Sequence, residues 1–249
     1  MVPGAWVRAV TRIAIIAAMP GELKPLTRGW RYECLNGVNL WHKRFDDGEW
    51  IAACAGTGVD QSAKAFAEVE KFGSVTTAIS TGWAGALRDN LVPGQAYDAS
   101  TVIDARTGER FIATGPPNDC WLVTSPRVAD LPEKKRLAST YEAALVDMEA
   151  AGIARLARMR GIPFYCIKGI SDGYNDQMPD FNRFISPGGQ FKLTRFVVFA
   201  VLRPWYWYAL IRMGENSRKA ARNIAQSLLD LLDDRGLASK RNGNPNHQH

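Results

Sequence analysis

Strand-sized apolar runs alternate with helix-spaced ones along most of the chain. The runs at 12–18, 50–55, 76–81, 96–103, 121–124, 144–146 and 164–170 are short and apolar and read as buried strands. Between them, apolar residues recur at i, i+3 and i+4 over 59–72 and 149–159, which predicts helices. Such a βα alternation builds a parallel or mixed sheet covered by helices on both faces, with the ligand site at the strand ends. The expected architecture is α/β: a single domain over 12–235 with a mixed central β-sheet flanked by helices. Its last part, 182–235, is expected to be a helical C-terminal extension, broken near Pro204 and Gly214 and ending in an amphipathic stretch over 217–232. Residues 1–11 and 236–249 are expected to be flexible tails.

Composition narrows the class. With 249 residues, 46% hydrophobic and 22% charged, the chain can bury a full core and does not have the usage of a disordered or fibrous protein. Cys34, Cys54, Cys120 and Cys166 lie far apart, and the three histidines are His42, His247 and His249. That spacing suits neither a zinc site nor a disulfide framework, so no metal and no cofactor is expected. The first ten residues hold no apolar run long enough for a signal sequence, which predicts a cytoplasmic, reduced protein. The net charge of +6 is concentrated late in the chain, where ten basic residues face four acidic ones from Lys192 onward. The rest is near neutral and offers no basic face interleaved with aromatics, so nucleic acid is not an expected partner.

Five junctions place glycine or polar residues where a strand opens to solvent. Glu22 follows the first strand. Cys54-Ala-Gly-Thr-Gly58 precedes a helix, so its bare amides are suited to an anion or a sugar hydroxyl, and Ser80-Thr-Gly-Trp-Ala-Gly85 repeats that pattern. Val146-Asp-Met-Glu149 carries two carboxylates, and Gly169-Ile-Ser-Asp172 ends a strand with another. Taken singly, Glu149 and Asp172 also read as helix N-caps and the glycines as plain turns. Their common topological position argues for a site.

The pairing of Val146-Asp-Met-Glu-Ala-Ala-Gly-Ile-Ala154 with Ile162-Pro-Phe-Tyr-Cys-Ile-Lys-Gly-Ile-Ser-Asp172 resembles the nucleoside phosphorylase and nucleosidase superfamily. The likeness runs from about Ile13 to Phe184 and is nearest to the branch that hydrolyses 5′-methylthioadenosine and S-adenosylhomocysteine. It implies that Glu22 positions and deprotonates the attacking water. It also implies that Glu149 binds the ribose hydroxyls above Met148, and that Asp172, fixed by Ser171, protonates the purine at N7. Gly58, Gly82 and Trp83 in the two glycine-rich segments, with Phe181 toward the 5′ substituent, complete the expected substrate contacts. The chemistry suits these types, because N-glycosidic cleavage needs one acid for the departing base and another for the nucleophile.

Phosphorylases of this superfamily hold phosphate with an arginine before the glycine-rich segment and a small hydroxyl residue within it. Here Ser80 or Thr81 and Trp83 stand at those places, and Glu22 would repel phosphate. Water is the expected nucleophile; Lys24 and Arg28 keep phosphorolysis as the alternative. Trp83 departs from the methylthioadenosine enzymes, whereas the stretch 102–111, Asp180-Phe-Asn-Arg-Phe184 and Arg203-Pro204 look like the hopanoid-associated branch linked to adenosylhopane. The implied substrate is a 5′-modified adenine nucleoside, either methylthioadenosine-like or lipid-linked. A binder that has lost catalysis is the other class, and three acids together argue against it.

The stretch 196–213, from Phe196 to Met213, is too short and too interrupted to span a membrane. Its aromatic cluster Trp205–Tyr208 between arginines reads first as core or a subunit interface, the resemblance implying a homo-oligomer such as a dimer, and second as a peripheral membrane contact or a lid over a lipid-like substituent.

Overall fold

The computed structural model describes residues 11–45, 48–177, 179–186 and 188–234. In chain order the elements are β1 (Thr11–Ala17), α1 (Pro20–Leu23), β2 (Arg31–Leu35), β3 (Val38–Arg44), β4 (Gly48–Cys54), α2 (Val59–Glu70), β5 (Thr77–Ala86), β6 (Ala96–Asp98), β7 (Thr101–Asp104), β8 (Arg110–Ile112), β9 (Trp121–Thr124), α3 (Leu131–Tyr141), β10 (Leu145–Asp147), α4 (Ala150–Arg160), β11 (Phe164–Asp172), α5 (Leu193–Val201) and α6 (Trp207–Asp234). Single 3-10 turns occupy Phe181–Phe184 and Pro204–Tyr206. Most of the expected tail residues lie outside the described set, but Thr11 already belongs to β1.

The sheet runs β2-β3-β4-β1-β5-β10-β9-β7-β8, with β11 pairing β5 and β6. Parallel pairs β4-β1-β5-β11 form its centre. Along β1 the side chains alternate between two cores, as a pleat requires. Ala14 and Ile16 pack in the core shared with Phe66 of α2 and Ile153 of α4; Ile13, Ile15 and Ala17 pack in the core shared with Leu23 of α1 and Ile224 and Leu228 of α6. The result is a helix–sheet–helix sandwich in a single α/β domain with a helical C-terminal extension, as expected.

Four expectations need correction. The run 96–103 is two strands: β6 pairs β11, whereas β7 turns away at Ala99 and pairs β8 and β9. The glycine-rich segment Ser80–Gly85 is no loop, since β5 runs through it. Gly214 does not break the last helix, because α6 is continuous from Trp207 to Asp234. One glycine costs a helix only about 1 kcal/mol, and α6 is held beyond it by buried Ala220, Ile224, Leu228 and Leu232. Gly169 of β11 permits that packing, since a Cβ there would stand 2.7 Å from the Ala220 methyl. Finally, α1, β2, β3, β8 and α3 are additional elements.

Candidate active site

The carboxyl ends of β1, β5, β10 and β11 open into one cavity of about 400 Å³. Glu22, Trp83, Met148, Glu149, Ser171, Asp172 and Phe181 all line it. Gly82 and Gly58 are not among its lining residues; Gly58 opens onto an adjoining pocket that shares Thr57, Met148 and Ile185 with it, and both glycines act on the cavity through their neighbours. A Cβ on Gly82, whose φ is +114°, would lie 2.8 Å from Glu22 Oε1, so only glycine lets the acid seat itself there. The Gly58 N–H donates to Glu149 Oε1 at 2.7 Å.

The loop at 54–58 does not form the expected anion cradle. Gly56 N–H donates to the Ala18 carbonyl, Thr57 N–H to the Gly189 carbonyl and Gly58 N–H to Glu149, so its amides are committed within the protein. The converging amides serve Glu22 instead. Its Oε2 accepts from Ala18 N–H (2.8 Å) and Met19 N–H (2.7 Å), and Oε1 accepts from Trp83 N–H (2.8 Å). A carboxylate of the chain itself fills this nest. Burial raises the Glu22 pKa above its ordinary value, opposed by the three amides and by Lys168.

The Trp83 indole leaves the nest for the C-terminal helix, its Nε1–H donating to the Ser217 carbonyl at 3.0 Å. Its far edge covers Gly21, where a Cβ would stand 3.3 Å away. Trp83 therefore ties α1, β5 and α6 together at the cavity wall.

Neither Glu149 nor Asp172 caps a helix through its side chain: Glu149 stands at the N-cap of α4 without a side-chain cap bond, and Asp172 ends β11. Asp147 performs that role for α4, its Oδ2 accepting from Ala150 N–H at 2.9 Å. Asp147 also accepts from the Thr124 hydroxyl and pairs with Lys168 Nζ at 2.9 Å, both side chains fully buried. Lys168 donates in addition to the Thr81 carbonyl at 2.8 Å. Burial alone would lower the Lys168 pKa, but Asp147, Cys166 and Glu149 lift it above its ordinary value. Glu149 is left facing the cavity with its pKa pushed up to about 8, by burial first and by the Asp147 charge second.

At the opposite wall, a bulge in β11 aims the third acid. Ile170 pairs Ala84 and Asp172 pairs Gly85, so Ser171 is the extra residue. The Ser171 hydroxyl donates to Asp172 Oδ1 at 2.6 Å. Lys134 of α3 donates to Asp172 Oδ2 and, at 2.7 Å, to the Gly173 carbonyl. Its ammonium is almost wholly buried, and Gly85 makes room for it: a Cβ there would lie 3.2 Å from both Asp172 Oδ2 and Lys134 Cε.

The outer wall is apolar. Phe181, Phe191, Phe196 and Met213 line it, and the first three belong to a ring cluster with Phe184, centroids 5.4 to 6.4 Å apart. The Asn182 amide stitches this wall to the loop before α3, through Val128 N–H (2.9 Å) and the Val128 carbonyl (3.0 Å). Lys24 and Arg28 are exposed and do not line the cavity; Arg127 does. Sequence reasoning missed Lys134, and it quoted Asp147 and Lys168 without giving them a role. Among the described residues no cluster of His, Cys, Asp and Glu forms a metal site.

Solved structures share this architecture. The chain is similar to S-adenosylhomocysteine nucleosidase from Streptococcus pyogenes in complex with 5-methylthiotubericidin, with a TM-score of 0.68 at 20% identity, over 92% of this chain and 98% of that one. It is similar to 5′-methylthioadenosine nucleosidase from Arabidopsis thaliana, with a TM-score of 0.69 at 16% identity, over 94% and 98%. It is also similar to futalosine hydrolase of Helicobacter pylori, with a TM-score of 0.68 at 16% identity, over 90% and 98%. No curated protein matches the sequence. The model of the phosphorylase superfamily matches residues 12–131 and 108–186, well over half of the chain. The protein belongs to the phosphorylase superfamily.

Proposed function

We propose that the protein is a purine nucleosidase, hydrolysing the N-glycosidic bond of a 5′-modified adenine nucleoside and releasing adenine. The observation that carries the reading is the Glu22 carboxylate seated in the Ala18, Met19 and Trp83 amides. Three donors that would otherwise favour an oxyanion such as phosphate are satisfied by an acid, and a dianion beside that acid would be repelled. A water molecule is not repelled, and the raised pKa brings Glu22 toward the range where a general base works best.

In this reading Glu22 takes a proton from water as its oxygen bonds to the anomeric carbon. Glu149 holds the ribose hydroxyls above Met148. Asp172 delivers a proton to the departing purine, with Ser171 fixing one of its oxygens and Lys134 the other. The Phe181, Phe191, Phe196 and Met213 wall receives the 5′ group and favours an apolar one, of methylthioadenosine type or a longer lipid-linked chain.

Incubation with a series of 5′-alkylthio adenosines, with and without phosphate, is expected to give free adenine and free sugar in both conditions. Affinity should rise along the series by up to about 0.8 kcal/mol for each methylene buried. Strict phosphate dependence with sugar 1-phosphate as product would overturn hydrolysis. Tight binding without turnover of any member would leave a nucleoside-binding protein.

The pH profile gives an independent check. Glu22 must be ionised to accept a proton, and its pKa is raised, so kcat/KM should fall on the acid side at a pH above the ordinary glutamate range. An acid limb at or below that range would remove Glu22 as the base.

A further inference from the structure

Helix α5 is apolar on two opposite sides, and only one of them is covered. Phe196 and Phe199 face inward to the ring cluster of the cavity wall, each within 5.5 Å of the Phe184 centroid. On the outside, Val198, Val201, Leu202, Trp205, Tyr208 and Ile211 are exposed; Leu202 and Trp205 are 67% and 70% accessible. They form one run across the end of α5, the Pro204–Tyr206 turn and the start of α6. From Phe196 to Leu202 the sequence contains seven consecutive apolar residues. A helix apolar all round requires cover on every side.

Charge selects what covers it. Between 192 and 222 there are seven basic residues and one acid, Glu215. Lys192, Arg195 and Arg212 are exposed, and the Arg203 guanidinium lies over the Phe199 ring, 4.1 Å from its centroid. A second copy of the chain, related by a two-fold axis, would set these cations against themselves, with only Glu215 and Asp176, which pairs Arg212 at 3.8 Å, to offset them. An anionic bilayer complements them, while tryptophan, tyrosine and arginine stems suit the depth of its headgroups. No described helix is long and apolar enough to cross a membrane, so the contact is interfacial.

We propose that the elbow formed by α5, the 204–206 turn and the first turns of α6 docks on the surface of an anionic lipid bilayer. Its apolar residues enter the headgroup boundary and its basic residues meet lipid phosphate. The same elbow carries Phe196 and Met213 of the cavity wall, so docking sets that wall against the lipid.

The test is flotation with vesicles of phosphatidylcholine alone and of equimolar phosphatidylcholine and phosphatidylglycerol, with tryptophan emission read in parallel. Binding is expected to the anionic vesicles, weakening as salt is raised, with a blue shift of emission. The double substitution L202E/W205E lies at exposed positions away from the cavity lining and should leave thermal melting unchanged. It should cut anionic-vesicle binding by at least about tenfold, from lost apolar insertion and added repulsion. Absence of flotation with both vesicle types would overturn the proposal. So would a solution dimer that L202E/W205E converts to monomer without altering lipid binding, which would make the elbow a subunit interface.

Discussion

Replacing Asp172 by asparagine is expected to lower kcat by about 10²- to 10⁴-fold with little change in KM, the usual cost of losing a general acid, and to lower Tm as well, because the buried Lys134 ammonium loses its counter-charge. The amide can still accept a hydrogen bond from Ser171, which holds the side chain at the β11 bulge, but it has no proton to deliver to the purine. Lys134 makes the test sharper. Its buried ammonium donates to the oxygen of Asp172 that Ser171 does not engage and, in the proposed mechanism, positions that acid toward the purine. Lys134→Met should therefore reduce kcat rather than raise KM, and by less than the asparagine variant. Because the two side chains act as one unit, K134M in the D172N background should cost little more than D172N alone. A D172N enzyme within a few-fold of wild type would show that another group protonates the base. Additive losses in the double variant would show that Lys134 serves a separate function.

Much of this site was legible in the sequence because its acids sit next to patterned strands. Glu22 and Glu149 come just after β1 and β10 and Asp172 ends β11, strands whose apolar cores mark them plainly, and the paired segments around Glu149 and Asp172 carry the family resemblance. Lys134 was not legible for a related reason: its helix was missed. The start of α3 does carry a signal, Asp130-Leu-Pro-Glu133, in which Asp130 accepts from Glu133 N–H at 3.0 Å and proline stands in the first turn. Its body, however, has a weak apolar stripe, with Leu137 its chief core contact. The β2–β3 hairpin was missed although Asn36-Gly37 announces it, both residues having positive φ as a tight two-residue turn demands. Here β2 is largely exposed on both faces and shows no alternation to read. The commitment of the 54–58 amides could not be read at all, because their acceptors come from Ala18, Glu149 and Gly189, remote in sequence.

The other large effect is expected at Lys168, which touches no substrate in the proposed mechanism. Its side chain and that of Asp147 are fully buried and 2.9 Å apart. Lys168→Met keeps the volume and removes the charge, leaving the buried Asp147 carboxyl without its counter-charge beside two further buried carboxyls, Glu22 and Glu149. Removing one member of a buried pair costs about 3–5 kcal/mol, which for a chain of this size lowers Tm by roughly 6 to 20 °C. The pH profile should move as well. Lys168 is one of the groups holding the Glu22 pKa down, so its loss raises that pKa further and shifts the acid limb of kcat/KM upward. Converting the partner too, as K168M/D147N, should recover much of the stability. An asparagine carbonyl can still accept a hydrogen bond from the Thr124 hydroxyl or the Ala150 N–H, but no unpaired charge remains. Thermal melting and pH–rate profiles of the single and double variants separate the contributions. A K168M protein that melts within about 1 kcal/mol of wild type would mean that the pair is not what holds the strand ends together at the cavity floor.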